Sequence, residues 1–430
     1  MRIDSIHLVN YRCHKDLKVD FQSSFNVIVA VNGGGKTSLL NAVVDALAPH
    51  FNSFGQNYHA GLDSEIPSVR TQATAVAGRY RFEEMYPQSL RVQGKAGGIH
   101  DFTWEVRKTN AIGQASLNHD LGALDYFNQL RSAHSAHSFP IVSFYRANRQ
   151  WPVLAPDAIQ AALKRNSRLD AYASWWNASQ DLSLQSWIIA KCLERTQTAS
   201  ELGTKFDDVE DDELALANIA LRLVLEGSKG LKYDMKRNAL LVEWRPGTGR
   251  ASTVFDNLSD GQRSIVFLVT DIARRICLLN PHLGAAALTE TTGIVLIDEL
   301  DVHLHPHWQR VLVRGLKSAF PGIQFIIATH SPQILGELQP DEIIVLHRDG
   351  YSQPQVSYGL TSTQVLQEIM GTESRTPRVE KGLESIFNLL ERGELEQARA
   401  EIAALESVAA GVPELERARA ALQRREILGR

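Results

Sequence analysis

One segment constrains this chain more than any other. The apolar run FNVIVA at residues 25–30 leads directly into the glycine-rich sequence VNGGGKT at 31–37, and apolar residues then recur with helical spacing. A continuously apolar strand is typical of an α/β sheet that is buried on both faces. Glycines let successive backbone N–H groups turn toward a phosphate, and the following helix N-terminus adds to the same anion site. The segment therefore predicts a strand, a phosphate-binding loop and a helix, in that order.

The loop matches the Walker A pattern, Gly-x4-Gly-Lys-Thr/Ser, except at its first position, where the chain has Ala30. We expect Lys36 to neutralise phosphate oxygens and the Thr37 hydroxyl to bind Mg²⁺. A methyl group at residue 30 fits such a loop if the φ of this residue is negative. The sequence alone therefore does not decide the conformation of the loop. The predicted nucleotide-binding residues of this segment are Ala30, Asn32, Gly33, Gly34, Gly35, Lys36, Thr37 and Ser38.

A second apolar strand, IVLI at 294–297, ends in the two carboxylates Asp298 and Glu299. This is a Walker B pattern, in which we expect Asp298 to hold magnesium through water and Glu299 to polarise the attacking water.

Between these two motifs, LSDGQR at 258–263 precedes a long helical pattern. Its residues Ser259, Gly261 and Gln262 predict a second anion site at a helix N-terminus. A simple helix cap is the alternative interpretation.

The composition excludes several classes of protein. The chain is 44% hydrophobic and 22% charged with a net charge of −4, which is typical of a folded globular protein and not of a strongly basic nucleic-acid binder. The three cysteines, Cys13, Cys192 and Cys277, are too far apart for a zinc ribbon or a redox pair. No segment has the pattern of a signal peptide or approaches the ~18 apolar residues of a membrane span. We therefore expect a cytoplasmic protein with no membrane contact.

The order of the motifs resembles the RecF/OLD/Rad50-like ATPases, the ABC-type branch catalogued as AAA_15 or AAA_21. The matching segments are MRIDSIHLVNYRCHKDLKVDF, AVNGGGKT, LSDGQR, IVLIDELDVHLHP and ATHSPQIL, which together cover about 1–50 and 230–350. The resemblance implies an α/β fold: an ABC-type ATPase head, built on a mixed sheet with a P-loop, with a helical insertion and a C-terminal helical tail. It also implies ATP and Mg²⁺ as ligands.

The resemblance implies roles for further residues. His330 matches the switch histidine that senses the γ-phosphate, and it joins Glu299 as a predicted catalytic residue. Arg12 matches an arginine near the nucleotide, and Gln150 falls where the family carries a Q-loop residue beside the metal. Heads of this family pair head to tail, so ATP is expected between the Walker A loop of one chain and Ser259 of the other.

In this family the head is split by an insertion, which predicts four regions. Residues 1–50 form the N-terminal lobe of the head, and 51–228 form an inserted helical or lid region with a returning core strand near 140–151. Residues 229–350 form the C-terminal lobe with the signature, the Walker B strand and the switch histidine. Residues 351–430 form a helical tail for contacts with an oligomer or a partner.

A narrower resemblance is to the PtuA ATPases of Septu and retron-linked anti-phage systems, through IVAVNGGGKTSLLNAV, SFYRANRQW and the C-terminal helices. Such ATPases act with a separate HNH endonuclease of the PtuB type, and the resemblance implies the same kind of partner here. No DxD carboxylate pair follows His330, so we expect no nuclease centre in this chain. Two alternatives stay open: a RecF-like repair or replication ATPase that binds DNA directly, and a nucleotide sensor with little turnover.

Overall fold

The computed structural model describes residues 1–51, 54, 68–76, 79–96, 100–132, 137–148, 161, 163, 166–181, 183–246, 251–348, 350–372 and 376–428. The chain divides into two compact units, Met1–Thr361 and Ser362–Arg430. The second unit begins at Ser362, whereas the helical tail is predicted to start at residue 351; residues 350–352 form a strand of the first unit. No helix among the described residues is both long and apolar enough to cross a lipid bilayer.

The first unit contains both strands and helices. Its described strands are β1 (Arg2–Tyr11), β2 (His14–Asp20), β3 (Phe25–Val29), β4 (Thr71–Val76), β5 (Arg79–Glu84), β6 (Gln88–Ala96), β7 (His100–Lys108), β8 (Ser116–His119), β9 (Ile141–Tyr145), β10 (Ser228–Asp234), β11 (Ala239–Trp244), β12 (Ser252–Val254), β13 (Gly293–Ile297), β14 (Ile323–Ala328), β15 (Ile343–His347) and β16 (Gly350–Ser352). Its described helices are α1 (Lys36–Phe51), α2 (Leu121–Ser132), α3 (Ser183–Leu202), α4 (Glu213–Val224), α5 (Asp260–Leu279), α6 (Ala287–Glu290), α7 (Pro306–Ala319) and α8 (Pro332–Leu335).

A mostly parallel sheet forms the core of the first unit. Its strand order is β16-β15-β3-β14-β13-β9, and within it only β16 runs antiparallel. Strands β3, β9, β13 and β14 are buried at every residue, as their continuous apolar runs predict. The core strand expected to return near 140–151 is β9, which pairs with β13 from Ile141 opposite Gly293 to Tyr145 opposite Ile297.

A second sheet is antiparallel and has the order β2-β1-β6-β7-β8. Strands β6 to β8 come from the insertion at 51–228, so the structure differs from the helical prediction over residues 71–119, where β4 to β8 lie. Helices α2, α3 and α4 supply the helical character further along the insertion. The alternating segments of β6 and β7 become strands because each has a partner to pair with: β1, from the N-terminal lobe, pairs with β6, and β6 pairs with β7.

Helix α1 lies between these two sheets. It packs against β14 on one side and against β1 and β6 on the other, and most of its residues are buried. The Tyr11 hydroxyl donates a hydrogen bond of 2.6 Å to Asp45 Oδ2, and the Trp104 indole N–H donates one of 2.8 Å to the carbonyl of Ala46. These bonds fix the antiparallel sheet on the helix that follows the phosphate loop.

Three smaller elements complete the first unit. Strands β10, β11 and β12 form an antiparallel sheet directly before the predicted signature motif, and β4 pairs with β5 in a hairpin. Two 3₁₀ turns, Arg168–Tyr172 and Trp175–Gln180, lie between β9 and α3.

The second unit is helical, as the tail prediction requires. It contains α9 (Ser362–Gln364), a π-helical turn (Val365–Ile369), α10 (Pro377–Arg392), α11 (Leu395–Glu406) and α12 (Pro413–Leu428). Helices this short gain stability mainly by burying their apolar stripes against a neighbour. Helices α10 to α12 share one hydrophobic cluster, whose buried members are Leu383, Ile386, Leu390, Ala398, Ile402, Leu405, Leu415, Ala418 and Leu422.

Candidate active site

The predicted motifs follow the ends of three parallel strands of the core sheet. The phosphate loop follows β3, the Asp298–Glu299 pair follows β13, and His330 comes shortly after β14. Because β14 lies between β3 and β13, the three strand ends meet at one edge of the sheet. Ligands of open α/β sheets bind at this edge, so the fold brings the three predicted segments to one site.

The phosphate loop needs glycine at three positions: Gly33 has a φ of 78°, and Gly34 and Gly35 have no room for a side chain. Gly35 has a φ of 91°, and a Cβ built there would lie 2.4 Å from His14 Nε2. A Cβ built on Gly34 would lie 2.6 Å from the methyl carbon of Ala30. Ala30 itself is not among the residues with positive φ, so its methyl group introduces no left-handed strain. The departure from the Walker A pattern at residue 30 therefore leaves a glycine-dependent turn in place.

Helix α1 begins at Lys36, immediately after this turn. The first N–H groups of a helix have no acceptor inside it, and here the N–H of Leu39 is the first to bond back, at 2.9 Å from the Gly35 carbonyl oxygen. Asn32, Gly33 and Thr37 are exposed, so the start of the helix is open to solvent. An exposed helix N-terminus of this kind binds anions such as phosphate.

Lys36 is buried, and its ammonium group donates a hydrogen bond of 3.2 Å to the carbonyl of Ala30. Desolvation lowers the pKa of Lys36, while the charges of Asp298, Glu299 and Asp301 act in the opposite direction. The net shift of this pKa is downward. The charges of three carboxylates therefore act on one lysine. The site has an excess of negative charge, which favours the binding of a divalent cation.

Thr37 and Asp298 meet directly in the folded chain. The Thr37 hydroxyl donates to Asp298 Oδ2 at 3.0 Å, and its distance to Oδ1 is 3.3 Å. Asp298 is buried, and its backbone N–H donates to the carbonyl of Tyr145, at the end of β9, at 2.8 Å. A hydroxyl and a carboxylate in contact beside a phosphate loop are the oxygen donors that Mg²⁺ takes at such sites.

Glu299 has a φ of 50°, which places a non-glycine residue in the left-handed region. Such a conformation costs roughly 1–3 kcal/mol and is concentrated at functional sites. The side chain is partly exposed, and its charge acts on Lys36. The turn after β13 thus places the Glu299 carboxylate where its charge, like that of Asp298, acts on Lys36.

Asp301 holds the segment that contains His330. The Thr329 hydroxyl donates to Asp301 Oδ1, and the backbone N–H of His330 lies 3.3 Å from the same oxygen. The N–H of Leu300 donates to the carbonyl of Ala328 at 3.2 Å. The loop after β13 and the loop after β14 are therefore bonded to each other. The sequence analysis missed this role for Asp301, although the residue lies three positions after Asp298.

Ser259 caps helix α5. Its hydroxyl accepts from the N–H of Gln262 at 3.3 Å, and the Gln262 side chain accepts from the N–H of Ser259 at 3.2 Å. Ser259 is exposed, whereas Gly261 is buried, and a Cβ on Gly261 would lie 2.5 Å from the carbonyl oxygen of His303. Within the described part of one chain, no hydrogen bond joins Ser259, Gly261 or Gln262 to residues 30–38. Ser259 therefore caps α5, and the helix N-terminus that it caps is exposed to solvent. The structure is compatible with both interpretations of this segment, the helix cap and the anion site.

The segment after β1 forms one wall of a cleft beside the phosphate loop. Arg12 is exposed and adopts a φ of 49°, and its N–H donates to the carbonyl of Ser68 at 2.6 Å. The two following residues, Cys13 and His14, line a cleft of about 370 Å³ together with residues 31–34 of the loop and Leu346, His347 and Arg348. Sequence reasoning predicted Arg12 but missed the rest of this wall; the available signals were the NYRCH segment and the HRDG sequence, which begins with the last residue of β15.

Gln150, the predicted Q-loop residue, lies outside the described residues. The strand that precedes it ends at Tyr145, whose carbonyl oxygen accepts the N–H of Asp298. The position of Gln150 at the metal therefore stays a prediction.

Comparison with known proteins assigns the family. A family model described as an AAA domain (AAA_23) matches residues 5–219, and a second, described as AAA domain, putative AbiEii toxin, Type IV TA system (AAA_21), matches residues 148–336. The chain belongs to the AAA domain family. The two matches together span the phosphate loop, the signature segment and the Walker B strand, and the AAA domain of this chain is related to the RecF/Rad50-like ATPases.

Curated relatives of this chain include a retron probable ATPase and a Septu protein. The Retron Vc95 probable ATPase of Vibrio cholerae is 25% identical over 398 residues, which are 82% of this chain and 74% of the relative. The Septu protein PtuA of Bacillus mycoides is 39% identical over 142 residues, which are 32% of this chain and 19% of the relative. Among solved structures, the SMC head domain from Thermotoga maritima aligns with a TM-score of 0.46 and 13% identity, over 83% of this chain and 100% of that one.

Proposed function

We propose that this AAA domain binds and hydrolyses Mg-ATP at the edge of its parallel sheet. The observation that supports this most is the contact of Thr37 with Asp298 beside a buried Lys36. Thr37 and Asp298 would hold the metal, which supplies charge neutralisation at the phosphates when it is bound. Lys36 and the first N–H groups of α1 bind phosphate oxygens, because they are the cationic group and the open donors at this position.

Glu299 is the proposed general base of this reaction, and His330 the proposed group that senses the terminal phosphate. Glu299 directly follows Asp298, the proposed metal ligand. Its backbone lies in the left-handed region, and the charge of its carboxylate acts on Lys36. Asp301 positions His330 by accepting the N–H of its backbone. The loops that carry the two residues are thus tied together next to the proposed phosphate site.

The proposed reaction uses two copies of the chain. Ser259 is exposed at the N-terminus of the 20-residue helix α5 and makes no hydrogen bond to the phosphate loop of its own chain in the described residues. A second copy, placed head to tail, would present this terminus to the γ-phosphate held by Lys36, and would complete the anion site. The proposed assembly is therefore a pair of heads, or a higher homo-oligomer made of such pairs.

The relatives support a role in anti-phage defence. The similarity to a retron ATPase spans most of both chains, and the similarity to Septu PtuA is higher over a shorter region. We propose that ATP turnover in this chain controls a separate HNH-type nuclease, and that the helical unit Ser362–Arg430 supplies partner or oligomer contacts.

One experiment tests the core of this proposal. Phosphate release by the purified chain should depend on both ATP and Mg²⁺, should stop when EDTA is added, and should rise more than linearly with protein concentration where pairing is incomplete. Co-expression with an HNH nuclease encoded beside it should give a complex that size-exclusion chromatography with light scattering detects. Absence of Mg-dependent turnover, with or without the nuclease, contradicts the ATPase proposal; turnover without complex formation contradicts only the partner.

A further inference from the structure

A buried ionic cluster fixes helix α5 to its surroundings. We call it the Asp271 cluster; its members are Tyr145, Asp181, Asp271, Arg274 and Arg275. All five are buried, and Asp271 and Arg275 are completely inaccessible to solvent. The two aspartates and two arginines balance in charge, so the cluster needs no outside counter-ion.

Asp271 is the centre of the cluster. Its Oδ1 accepts from Arg274 Nε at 3.0 Å and Nη2 at 2.8 Å, and its Oδ2 accepts from Arg275 Nε at 2.7 Å. Asp181 accepts from both arginines through Oδ2. Desolvation raises the pKa of Asp181, but the charges of Arg274 and Arg275 and hydrogen bonds from Ser183 lower it to about 2, so the carboxylate is ionised at neutral pH.

The cluster also receives one neutral donor, which comes from the core sheet. The Tyr145 hydroxyl donates to Asp271 Oδ2 at 2.8 Å. Burial, the largest cause, and the Asp271 charge both raise the pKa of Tyr145, so the hydroxyl keeps its proton at neutral pH. The backbone carbonyl of the same tyrosine accepts the N–H of Asp298 at 2.8 Å. Tyr145 thus bonds to the metal-binding carboxylate's backbone on one side and to α5 on the other.

Helix α5 connects this contact to the predicted signature motif. The helix is continuous from Asp260 to Leu279, with Ser259 as its N-cap, and Asp271 lies near its middle. A continuous helix is stiff over this length, so its position at residue 271 determines where its N-terminus lies. The Tyr145–Asp271 hydrogen bond therefore connects two parts of the same chain: the proposed metal site at Asp298, and the N-terminus of α5 that would contact the nucleotide of the second chain.

We propose that Tyr145 and Asp271 are positioning residues, whose hydrogen bond sets the location of the Ser259 terminus relative to Asp298. This inference rests on the proposed ATPase function. It adds the residues that keep Asp298 and the Ser259 terminus at a fixed distance and orientation. Replacing a buried ion pair by apolar packing is often neutral or stabilising, so stability alone does not explain this cluster, and specifying one geometry is a role that buried ionic groups have in some proteins. A hydroxyl whose acceptor is a buried carboxylate is a strongly directional contact of this kind.

The test removes one oxygen atom and nothing else. Tyr145→Phe deletes the hydroxyl that bonds Asp271 while keeping the ring and the backbone bond to Asp298. Tyr172→Phe is the matched control, because the Tyr172 ring is equally buried and its hydroxyl donates to the carbonyl of Pro140 at 2.6 Å, outside the Asp271 cluster. Both variants are compared with the full-length wild type for ATP affinity, kcat per ATP-binding site and the midpoint of thermal unfolding.

We expect Tyr145→Phe to lower kcat by about 10- to 100-fold, in line with the effect of a small misplacement of reacting groups, and to leave ATP affinity within about twofold. Tyr172→Phe should keep kcat within about twofold of wild type. The kcat is normalised to bound ATP, so a fraction of unfolded protein does not imitate the effect. Equal kcat values for the two variants, or a loss of ATP affinity as large as the loss of kcat, would overturn the positioning role.

The same experiment separates this inference from the proposed function. A wild type that binds no ATP or does not hydrolyse it overturns the ATPase proposal and this inference together. An active wild type with an equally active Tyr145→Phe variant overturns the inference alone. If Tyr145→Phe unfolds, Asp271→Asn serves as the second variant, since the amide keeps the shape of the carboxylate while the charged acceptor of the Tyr145 hydroxyl becomes a neutral and weaker one. Retained ATP binding with a loss of kcat supports the role, and unchanged kcat overturns it.

Discussion

The Thr37 hydroxyl donates a hydrogen bond of 3.0 Å to Asp298 Oδ2, and the two residues are 261 positions apart in the sequence. Thr37 follows β3, Asp298 follows β13, and β14 lies between these strands in the sheet. The contact exists because all three strands are parallel and end at one edge.

Lys36→Ala should weaken ATP binding by about 10- to 100-fold, because a hydrogen bond from a charged group contributes roughly 1.5–3 kcal/mol. Titration calorimetry measures the effect. Lys15→Ala is the control, since Lys15 is an exposed lysine in β2, at the start of the strand that follows Cys13. ATP binding by Lys36→Ala at the wild-type affinity would contradict the assignment of the phosphate site.

Glu299→Gln should bind ATP as tightly as the wild type and hydrolyse it about 10²- to 10⁴-fold more slowly, because an amide does not accept a proton from water. The variant should also accumulate paired heads with ATP, which light scattering detects. Glu290→Gln, an exposed carboxylate in α6, is the control and should behave as wild type. Unchanged turnover in Glu299→Gln would move the catalytic role to another residue, with His330 the next to examine.

Hydrolysis should need Lys36 from one chain and Ser259 from another. A mixture of Lys36→Ala and Ser259→Arg subunits should regain part of the activity that each lacks, because one composite site in the mixed pair is intact. Ser259→Asp separates the anion site from the helix cap, since aspartate caps a helix but repels phosphate. If the mixture is inactive where mixed pairs demonstrably form, the two-chain site is wrong.

Cys13 should be the cysteine that reagents modify in the folded chain. Partial desolvation raises the pKa of Cys13, but hydrogen bonds from His14 and Ser38 and the charge of His14 outweigh it, and the net shift is downward. Its alkylation by iodoacetamide should therefore reach its plateau at lower pH than that of an ordinary thiol, because the thiolate is the reactive form.

Cys192 provides the internal comparison for this measurement. It is buried, and desolvation raises its pKa to about 12, so it should react only after unfolding. Cys13 lines the cleft beside the phosphate loop, so saturating ATP should slow its alkylation several-fold. Mass spectrometry of the labelled peptides identifies the site, and no protection by ATP would place the nucleotide elsewhere.

Deleting residues 362–430 should leave an ATP-binding head, because the helical tail has a hydrophobic cluster of its own and Met1–Thr361 is a compact unit. The truncated chain should lose assembly with the partner nuclease while keeping its affinity for ATP. Size-exclusion chromatography with light scattering compares the two proteins. An intact assembly after truncation would refute the interaction role of the tail, and aggregation would show that the tail protects the head.

The parts of the site that the sequence predicts best are those whose residues are consecutive in the chain. The loop at 30–37 and the carboxylates at 298–299 are each contained within a few consecutive residues, and their chemistry depends on residue type and local backbone. The structure adds that Ala30 is tolerated because its φ is not positive, and that its methyl group leaves no room for a side chain at position 34. Asp301 was missed because its partners, Thr329 and His330, come from the next strand of the sheet.

The sequence by itself determined the α/β class, the phosphate loop, the Walker B carboxylates and the helical tail, because each depends on short-range spacing or on a continuous apolar run. Tertiary structure alone decided that β4 to β8 are strands, since such segments take their conformation from the strand they pair with: β6 pairs with β1 and β7, β7 with β8, and β4 with β5. It alone decided the Asp271 cluster, whose members come from β9, the segment before α3, and α5. A buried charge is stable only beside its counter-charge, and which charge becomes its neighbour is settled when distant segments pack together.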